Sequence, residues 1–144
     1  MTEFEEMAHS VRVRYSETDR MAVAHHGSYV AWFEEARTEW MRKRGRTYRE
    51  LEEDGYLLQV VEFQCRYHKP VDYDEVVVIR LRVQSSGRAA LELGYEARRE
   101  SDGEVCATGS TKLACLGRDG KLQRLPPELV VKPDPNSPSS SEES

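Results

Sequence analysis

The chain has 144 residues and a formal net charge of −5 at pH 7, with 38% hydrophobic and 33% charged residues. This length predicts one domain, and a domain of this size buries enough surface to fold without disulfides or metal. The acidic balance gives no general attraction to nucleic acid, and no apolar run approaches the roughly 18 residues of a membrane helix. We therefore expect neither a nucleic-acid partner nor a membrane span.

The cysteines indicate the compartment. Cys65, Cys106 and Cys115 are odd in number and form no CxxC motif, and the first ten residues lack the basic and apolar regions of a signal peptide. Unpaired thiols are typical of a reducing environment. We expect a cytoplasmic protein with packed, reduced cysteines.

The first predicted elements are a strand and a loop. Apolar and polar residues alternate over 11–15, with Val11, Val13 and Tyr15 on one side, and this predicts a half-buried strand. No period is visible over 16–27, which we interpret as a loop.

A long amphipathic helix is predicted from Ser28, the expected N-cap, to Gly45, the expected terminator. Its apolar positions recur at helical spacing and form one broad stripe. The stripe consists of Tyr29, Trp32, Phe33, Ala36 and Trp40.

A short helix is predicted over 48–54, where Thr47 and Glu50 have the spacing of a capping box. Strands are then expected over 57–68, 76–84, 89–99 and 105–116, in a meander, with a turn over 85–87. The last segment, 133–144, is rich in Pro and Ser, and we expect a disordered tail after a folded domain over 1–132.

One sheet with an apolar face and one strongly apolar helix predict the α+β class. The sheet is expected to curl around the helix, which is the arrangement of the hotdog fold. An α+β sandwich of another topology would give the same order of elements.

The loop before the long helix holds the best candidate site. Asp19, His25 and His26 lie near a helix N-terminus, whose unpaired N–H groups carry partial positive charge. Such a place can stabilise an oxyanion while a carboxylate attacks or activates water. A purely structural interpretation is also open, in which Asp19 forms a turn and His26 caps a backbone group.

The segment 11–45 carries a specific pattern: Thr18-Asp19, then His26 and Tyr29, then the run FEEARTEW over 33–40. It closely resembles the 4-hydroxybenzoyl-CoA thioesterase-like branch of the hotdog acyl-CoA thioesterases. The resemblance covers roughly 9–130 and continues more weakly in the Y.KPV.YDE pattern over 67–75. It implies acyl-CoA hydrolysis by a homodimer or homotetramer, with CoA at the subunit interface, no cofactor and no metal.

The resemblance also implies roles for individual residues. Asp19 would be the catalytic carboxylate, either a nucleophile that forms a mixed anhydride or a general base for water. The backbone N–H of His26 would donate to the thioester oxygen, and Tyr29 would bind substrate. Arg88, in a predicted hairpin, matches a position at which some relatives contact the nucleotide phosphates, although it is also an ordinary residue for a solvated turn.

The chain departs from the family pattern in the same loop. Met21 and Ala22 stand where glycines are usual, and His25 replaces an aromatic residue. These departures leave a non-catalytic acyl-CoA-binding or partner-binding module as an alternative. A hydratase or dehydratase, with His26 acting beside Glu34 or Glu35, is a second alternative, although the characteristic histidine-proline-phenylalanine-glycine loop is missing.

Overall fold

The computed structural model describes residues 6–21 and 23–131. The predicted tail over 133–144 therefore lies outside the described residues, as does Ala22. The elements, in chain order, are β1 (Glu6–Arg12), a 3-10 turn (Tyr15–Glu17), α1 (His26–Lys43), α2 (Tyr48–Glu53), β2 (Leu57–Tyr67), β3 (Val76–Ser86), β4 (Ala90–Arg99), β5 (Val105–Leu116) and a second 3-10 turn (Pro127–Leu129). None of the described helices has the length and apolarity to cross a lipid bilayer.

The five strands form one antiparallel sheet in the order β1-β3-β4-β5-β2. The predicted meander is correct for β3, β4 and β5 but wrong for β2, which pairs with β5 at the far edge. The two helices carry the chain from β1, at one edge, to β2, at the other. Long-range pairing of this kind leaves no local signal in the sequence.

Helix α1 packs against the apolar face of this sheet, as predicted. All five residues of its apolar stripe are buried, and Phe33 stacks on Tyr95 of β4 with ring centroids 4.4 Å apart. Burial of each large side chain contributes about 1.5–3 kcal/mol. The predicted α+β hotdog arrangement is confirmed, and packing against the sheet fixes the orientation of α1.

The first strand lies earlier in the sequence than predicted: β1 covers Glu6–Arg12, whereas the alternation predicted a strand over 11–15. β1 ends at Arg12, which pairs with Val76, the first residue of β3. Val13 still bonds the chain just before β3, where its N–H donates to the Glu75 carbonyl (2.9 Å) and its carbonyl accepts from the Asp74 N–H (2.9 Å). Val13 is still buried, but Tyr15 opens a 3-10 turn and is 75% exposed.

The predicted start of α1 was also wrong. The helix begins at His26, with His25 as its N-cap, and Ser28 lies within the first turn. The Ser28 hydroxyl does not cap the helix because it donates a 2.8 Å hydrogen bond to the carbonyl of Glu17. At the other end, Gly45 adopts a left-handed φ of 92°, as expected of a helix terminator.

The hairpin between β3 and β4 is shifted from its predicted position. β3 continues to Ser86 after an irregularity between Val83 and Ser85, and the turn falls on 87–89. Arg88 therefore lies in the turn itself.

Candidate active site

An open cleft of about 380 Å³ lies at the N-terminal end of α1. One wall comes from the loop before α1 and the other from the segment that follows β2. Its lining residues are Asp19, Val23, Ala24, His25, His26, Tyr29, Tyr67, His68, Lys69, Pro70 and Val71.

The structure brings three of the four predicted site residues together. Asp19, His26 and Tyr29 all line the cleft. Arg88 does not line it, because the β3–β4 turn lies beside the end of β5, where the Cys115 N–H donates to the Ala89 carbonyl (2.8 Å). The Leu125 N–H, from the segment after β5, donates to the Arg88 carbonyl (2.8 Å). Within one protomer, the proposed phosphate contact is therefore remote from the carboxylate.

Asp19 is exposed on a tight reversal of the chain. Its N–H donates to the Val23 carbonyl (2.9 Å), and Thr18 forms a bridge with Ala24. One carboxylate oxygen accepts the Met21 N–H (2.9 Å), which is the Asx turn of the structural interpretation. The other oxygen accepts no hydrogen bond from residues 6–21 and 23–131, so the turn leaves it available for chemistry.

The N-terminus of α1 supplies hydrogen-bond donors at the same cleft. The His25 side chain makes no capping hydrogen bond to the helix backbone; its Nε2 lies 3.3 Å from the Ser28 hydroxyl, and its own N–H donates to the Glu17 carbonyl (3.0 Å). The N–H groups of His26 and Gly27 occupy the first two helical positions, where the helix provides no acceptor. Together with the helix dipole they favour negative charge in the cleft.

The His26 imidazole has a packing role. It stacks on the Tyr67 ring at 4.3 Å between centroids, and the Tyr67 hydroxyl donates to the His26 carbonyl (3.2 Å). These contacts fix the first turn of α1 against β2. Within the described part of the chain the His26 ring therefore stacks rather than capping a backbone group, as the purely structural interpretation had it, and this packing is compatible with a functional role of the backbone N–H.

Two phenols stand beside the helix terminus. Tyr29 is buried and meets Tyr67 edge to face at 5.4 Å. Burial raises the pKa of Tyr29, and burial together with Cys65 raises the pKa of Tyr67 to about 12. Both hydroxyls are therefore protonated near neutral pH and are able to donate hydrogen bonds.

The acid partners that a hydratase would need are not at this cleft. Glu35 faces His9, whose Nε2 lies 3.4 Å from a Glu35 carboxylate oxygen, and both line a different cavity together with Glu34. His26 is therefore not paired with Glu34 or Glu35.

Three further cleft residues are not predicted as site residues from the sequence: Tyr67, His68 and Lys69. They reach the cleft from the end of β2, about forty residues away along the chain, and only the weak Y.KPV resemblance pointed to them. His68 lies 3.0 Å from the Thr108 hydroxyl, and Lys69 forms an ion pair with Glu104. The lining is therefore held by contacts to β5 and to the turn before it.

Of the two residues that replace the usual glycines, the structure describes Met21 but not Ala22. Met21 is 82% exposed at the tip of the loop, so its side chain does not fill the cleft. The neighbouring Ala22 lies outside the described residues.

Comparison with known proteins identifies relatives. The thioesterase superfamily model matches residues 21–106. The acyl-CoA thioesterase YbgC of Haemophilus influenzae is 29% identical over 107 residues, which cover 74% of this chain and 77% of that protein. The DHNA-CoA thioesterase of Staphylococcus aureus superimposes with a TM-score of 0.79 and 36% identity, over 83% of this chain and 80% of that chain. A hypothetical protein of Thermus thermophilus, TT1821, superimposes with a TM-score of 0.79 and 32% identity, over 88% of this chain and 93% of that chain.

Proposed function

The chain belongs to the thioesterase superfamily, and from this premise we propose that it hydrolyses acyl-CoA thioesters to a free acid and CoA. Asp19 supplies the carboxylate, and the N-terminus of α1 supplies the oxyanion site. The observation that carries the proposal is the shared cleft, in which the Asp19 side chain and the first turn of α1 face the same space.

The chemistry suits these groups. As a nucleophile, a carboxylate oxygen of Asp19 bonds to the carbonyl carbon, and the C–S bond breaks to release CoA thiolate. Water then cleaves the resulting anhydride. As a general base, Asp19 instead takes a proton from water as the water attacks the carbon. In both routes the carbonyl oxygen becomes negative and accepts from the His26 N–H.

The two routes differ in a covalent intermediate. Single-turnover hydrolysis in ¹⁸O-water, with excess enzyme, places label in the Asp19 carboxylate if the anhydride is cleaved at the enzyme's own carbonyl. Hydroxylamine converts an anhydride at the acyl carbon into a hydroxamate, but it also attacks the thioester directly, so the yield is compared with that obtained from the same ester and Asp19→Asn. Neither label in Asp19 nor hydroxamate above that control is expected of the general-base route.

We propose that Tyr29 binds the substrate. Its buried, protonated hydroxyl and its ring line the cleft directly below the helix terminus, next to the Tyr67 ring. The acyl group would therefore meet aromatic surface and one hydroxyl donor.

A dimer would complete the site. β2 is the longer of the two edge strands, with 11 residues against 7 in β1, and its outer side pairs with no strand in the described part of the chain. Val60 and Val61 on it are 43% and 53% exposed. An open apolar edge of this kind favours pairing with a second copy, so we propose a homodimer, or a homotetramer built from it.

This dimer would explain Arg88. The first residue of β2, Leu57, pairs with Leu116 near the β3–β4 turn, whereas the last, Tyr67, lines the cleft. Two-fold antiparallel pairing of β2 reverses these ends, so the partner subunit's Arg88 comes to the side of the cleft. There its guanidinium would bind a phosphate of CoA.

We also propose that the protein works in the cytoplasm. Cys65, Cys106 and Cys115 are all free, and burial raises the pKa of each thiol, which keeps it protonated and unreactive. These features suit a reducing compartment.

The activity test is release of CoA from a panel of short aliphatic, benzoyl-like and naphthoyl-like esters. A thiol-reactive dye measures CoA, and enzyme without ester gives the background from the three cysteines. We expect turnover of at least one ester. Saturable binding of the esters with no CoA release from any of them would instead identify a binding module.

A further inference from the structure

A buried carboxylate lies two residues before Asp19. Glu17 is 7% exposed, and its side chain accepts three hydrogen bonds. They come from the Arg14 N–H (2.7 Å), the Arg14 guanidinium (3.2 Å) and the indole N–H of Trp32 (3.0 Å). Trp32 is fully buried on α1. The Glu17 carboxylate therefore links two parts of the site: the loop that contains Asp19, and helix α1, whose N-terminus presents the proposed oxyanion donors.

The main chain of Glu17 makes a second connection to the same helix. Its carbonyl accepts both the His25 N–H (3.0 Å) and the Ser28 hydroxyl (2.8 Å). One residue therefore holds the N-cap and the first turn of α1 while it also sets the start of the Asp19 reversal.

The charge state of Glu17 agrees with this role. Burial raises the pKa of its carboxyl, but the hydrogen bonds from the Arg14 N–H, the Trp32 indole and the Arg14 guanidinium outweigh burial and leave the pKa below its ordinary value. Glu17 is thus a charged, fully bonded anchor near neutral pH. A buried charge is retained at a cost in desolvation, and the bonds to both elements offset that cost.

We propose that Glu17 and Ser28 are positioning residues, which together hold the Asp19 loop and the first turn of α1 in the relative geometry that thioester hydrolysis requires. This inference rests on the proposed function and deepens it. Neither residue touches the reacting atoms. Glu17 acts through its carboxylate, which bonds Arg14 and Trp32, and through its carbonyl, which holds the N-cap of the helix that presents the His26 and Gly27 N–H groups. Ser28 acts through its hydrogen bond to the same carbonyl.

The test uses a pair of matched serines. Ser28→Ala removes the hydroxyl that bonds the Glu17 carbonyl. Ser86→Ala removes a hydroxyl that donates to the Leu129 carbonyl (3.1 Å) and accepts from the Val131 N–H (3.2 Å), at the opposite end of α1. Each change is expected to lower stability by about 1 kcal/mol, so melting temperatures should fall by similar amounts.

Only the site variant should affect the chemical step. For Ser28→Ala we expect kcat to fall about tenfold with KM changed less than twofold, because misalignment acts mainly on the transition state. For Ser86→Ala kcat should match that of the wild type. Glu17→Gln keeps the size of the side chain but removes its charge, and like Ser28→Ala it should lower kcat.

The outcomes separate the two proposals when Asp19→Asn is assayed in parallel. An active wild type, an inactive Asp19→Asn and a Ser28→Ala with wild-type kcat would overturn the positioning role and leave the proposed function standing. Equal losses of kcat in Ser28→Ala and Ser86→Ala would also overturn it. A wild type that hydrolyses no ester would overturn the proposed function, and this inference with it.

Discussion

The two ends of α1 differ in how they are capped and in how far they are exposed. At the C-terminal end, the Arg46 N–H donates to the Met41 carbonyl (3.2 Å), and the Arg46 guanidinium pairs with Glu128 (2.7 Å). Leu129, the residue after Glu128, is fully buried. At the N-terminal end, His25 caps without its side chain, and the first residues of the helix, His26 and Gly27, are exposed beside a cleft.

The two ends therefore differ in function: the C-terminal end of α1 contributes to stability, whereas the N-terminal end has backbone N–H groups that can bind another molecule. Capped helix ends and buried apolar residues contribute to the free energy of folding. Uncapped N–H groups contribute less, but they form a ready site for negative charge. The structure thus assigns stability to one end of α1 and, by our proposal, catalysis to the other.

The largest effect is expected from a change that removes a single backbone N–H. Pro is tolerated at the first position of a helix, and the extended backbone of His25 (ψ 164°) suits a following Pro. His26→Pro should therefore fold but lower kcat by about 10²–10³-fold, the effect of losing one oxyanion donor. His26→Ala keeps the N–H and should lower kcat much less. Steady-state kinetics of the two variants, with melting curves, check this expectation; equal losses would show that the imidazole matters and the N–H does not.

At the opposite end, Leu129→Ala should affect stability alone. Leu129 is fully buried, and truncation of such a residue costs about 2–5 kcal/mol. Urea unfolding should show this loss, while kcat at a temperature where the variant is folded should match the wild type. A large fall in kcat in folded protein would mean that the two ends of α1 are not independent.

A smaller effect is expected at the β3–β4 turn. Arg88→Ala should raise KM for CoA esters several-fold and leave kcat unchanged, because a phosphate contact is made equally in the ground and transition states. Rising salt should raise the wild-type KM and have less effect on the variant. Arg42→Ala is the control, since Arg42 pairs with Glu39 on α1 and lies neither in the cleft nor in the β3–β4 turn. An unchanged KM in Arg88→Ala would place the nucleotide elsewhere.

The smallest effect concerns pH. The pKa of Glu17 lies below its ordinary value of 4.5 in the folded protein, so its carboxylate contributes stability above about pH 4.5 that is lost as pH falls through the folded pKa. The free energy of unfolding of the wild type should exceed that of Glu17→Gln at pH 7, and the difference should shrink below pH 4.5. A difference that stays constant from pH 7 to pH 3 would contradict a charged anchor.

Local patterns predicted the parts of the molecule that depend on neighbours in sequence. The apolar stripe of α1, the Thr47–Glu50 capping box and β5 all lie where their periodicity or spacing placed them. The position of β2 beside β5 could not be predicted, because strand pairing depends on partners distant in sequence.

The site shows the same division. Asp19, His26 and Tyr29 share one short stretch of sequence and could be grouped from it. Tyr67 enters the site only through the pairing of β2. Glu17 lies in the segment interpreted as a loop, and only the fold shows its hydrogen bond to Trp32.

The most direct test of the account compares Asp19→Asn with the wild type on the best ester of the panel. Asn is nearly the same size and can still accept the Met21 N–H, so the turn should survive within about 1 kcal/mol. It cannot act as a nucleophile or base, so kcat should fall at least ~10²-fold, while CoA-ester binding and the melting temperature stay near wild-type values. Wild-type kcat in Asp19→Asn would contradict the central claim and leave Asp19 as a turn-forming residue only.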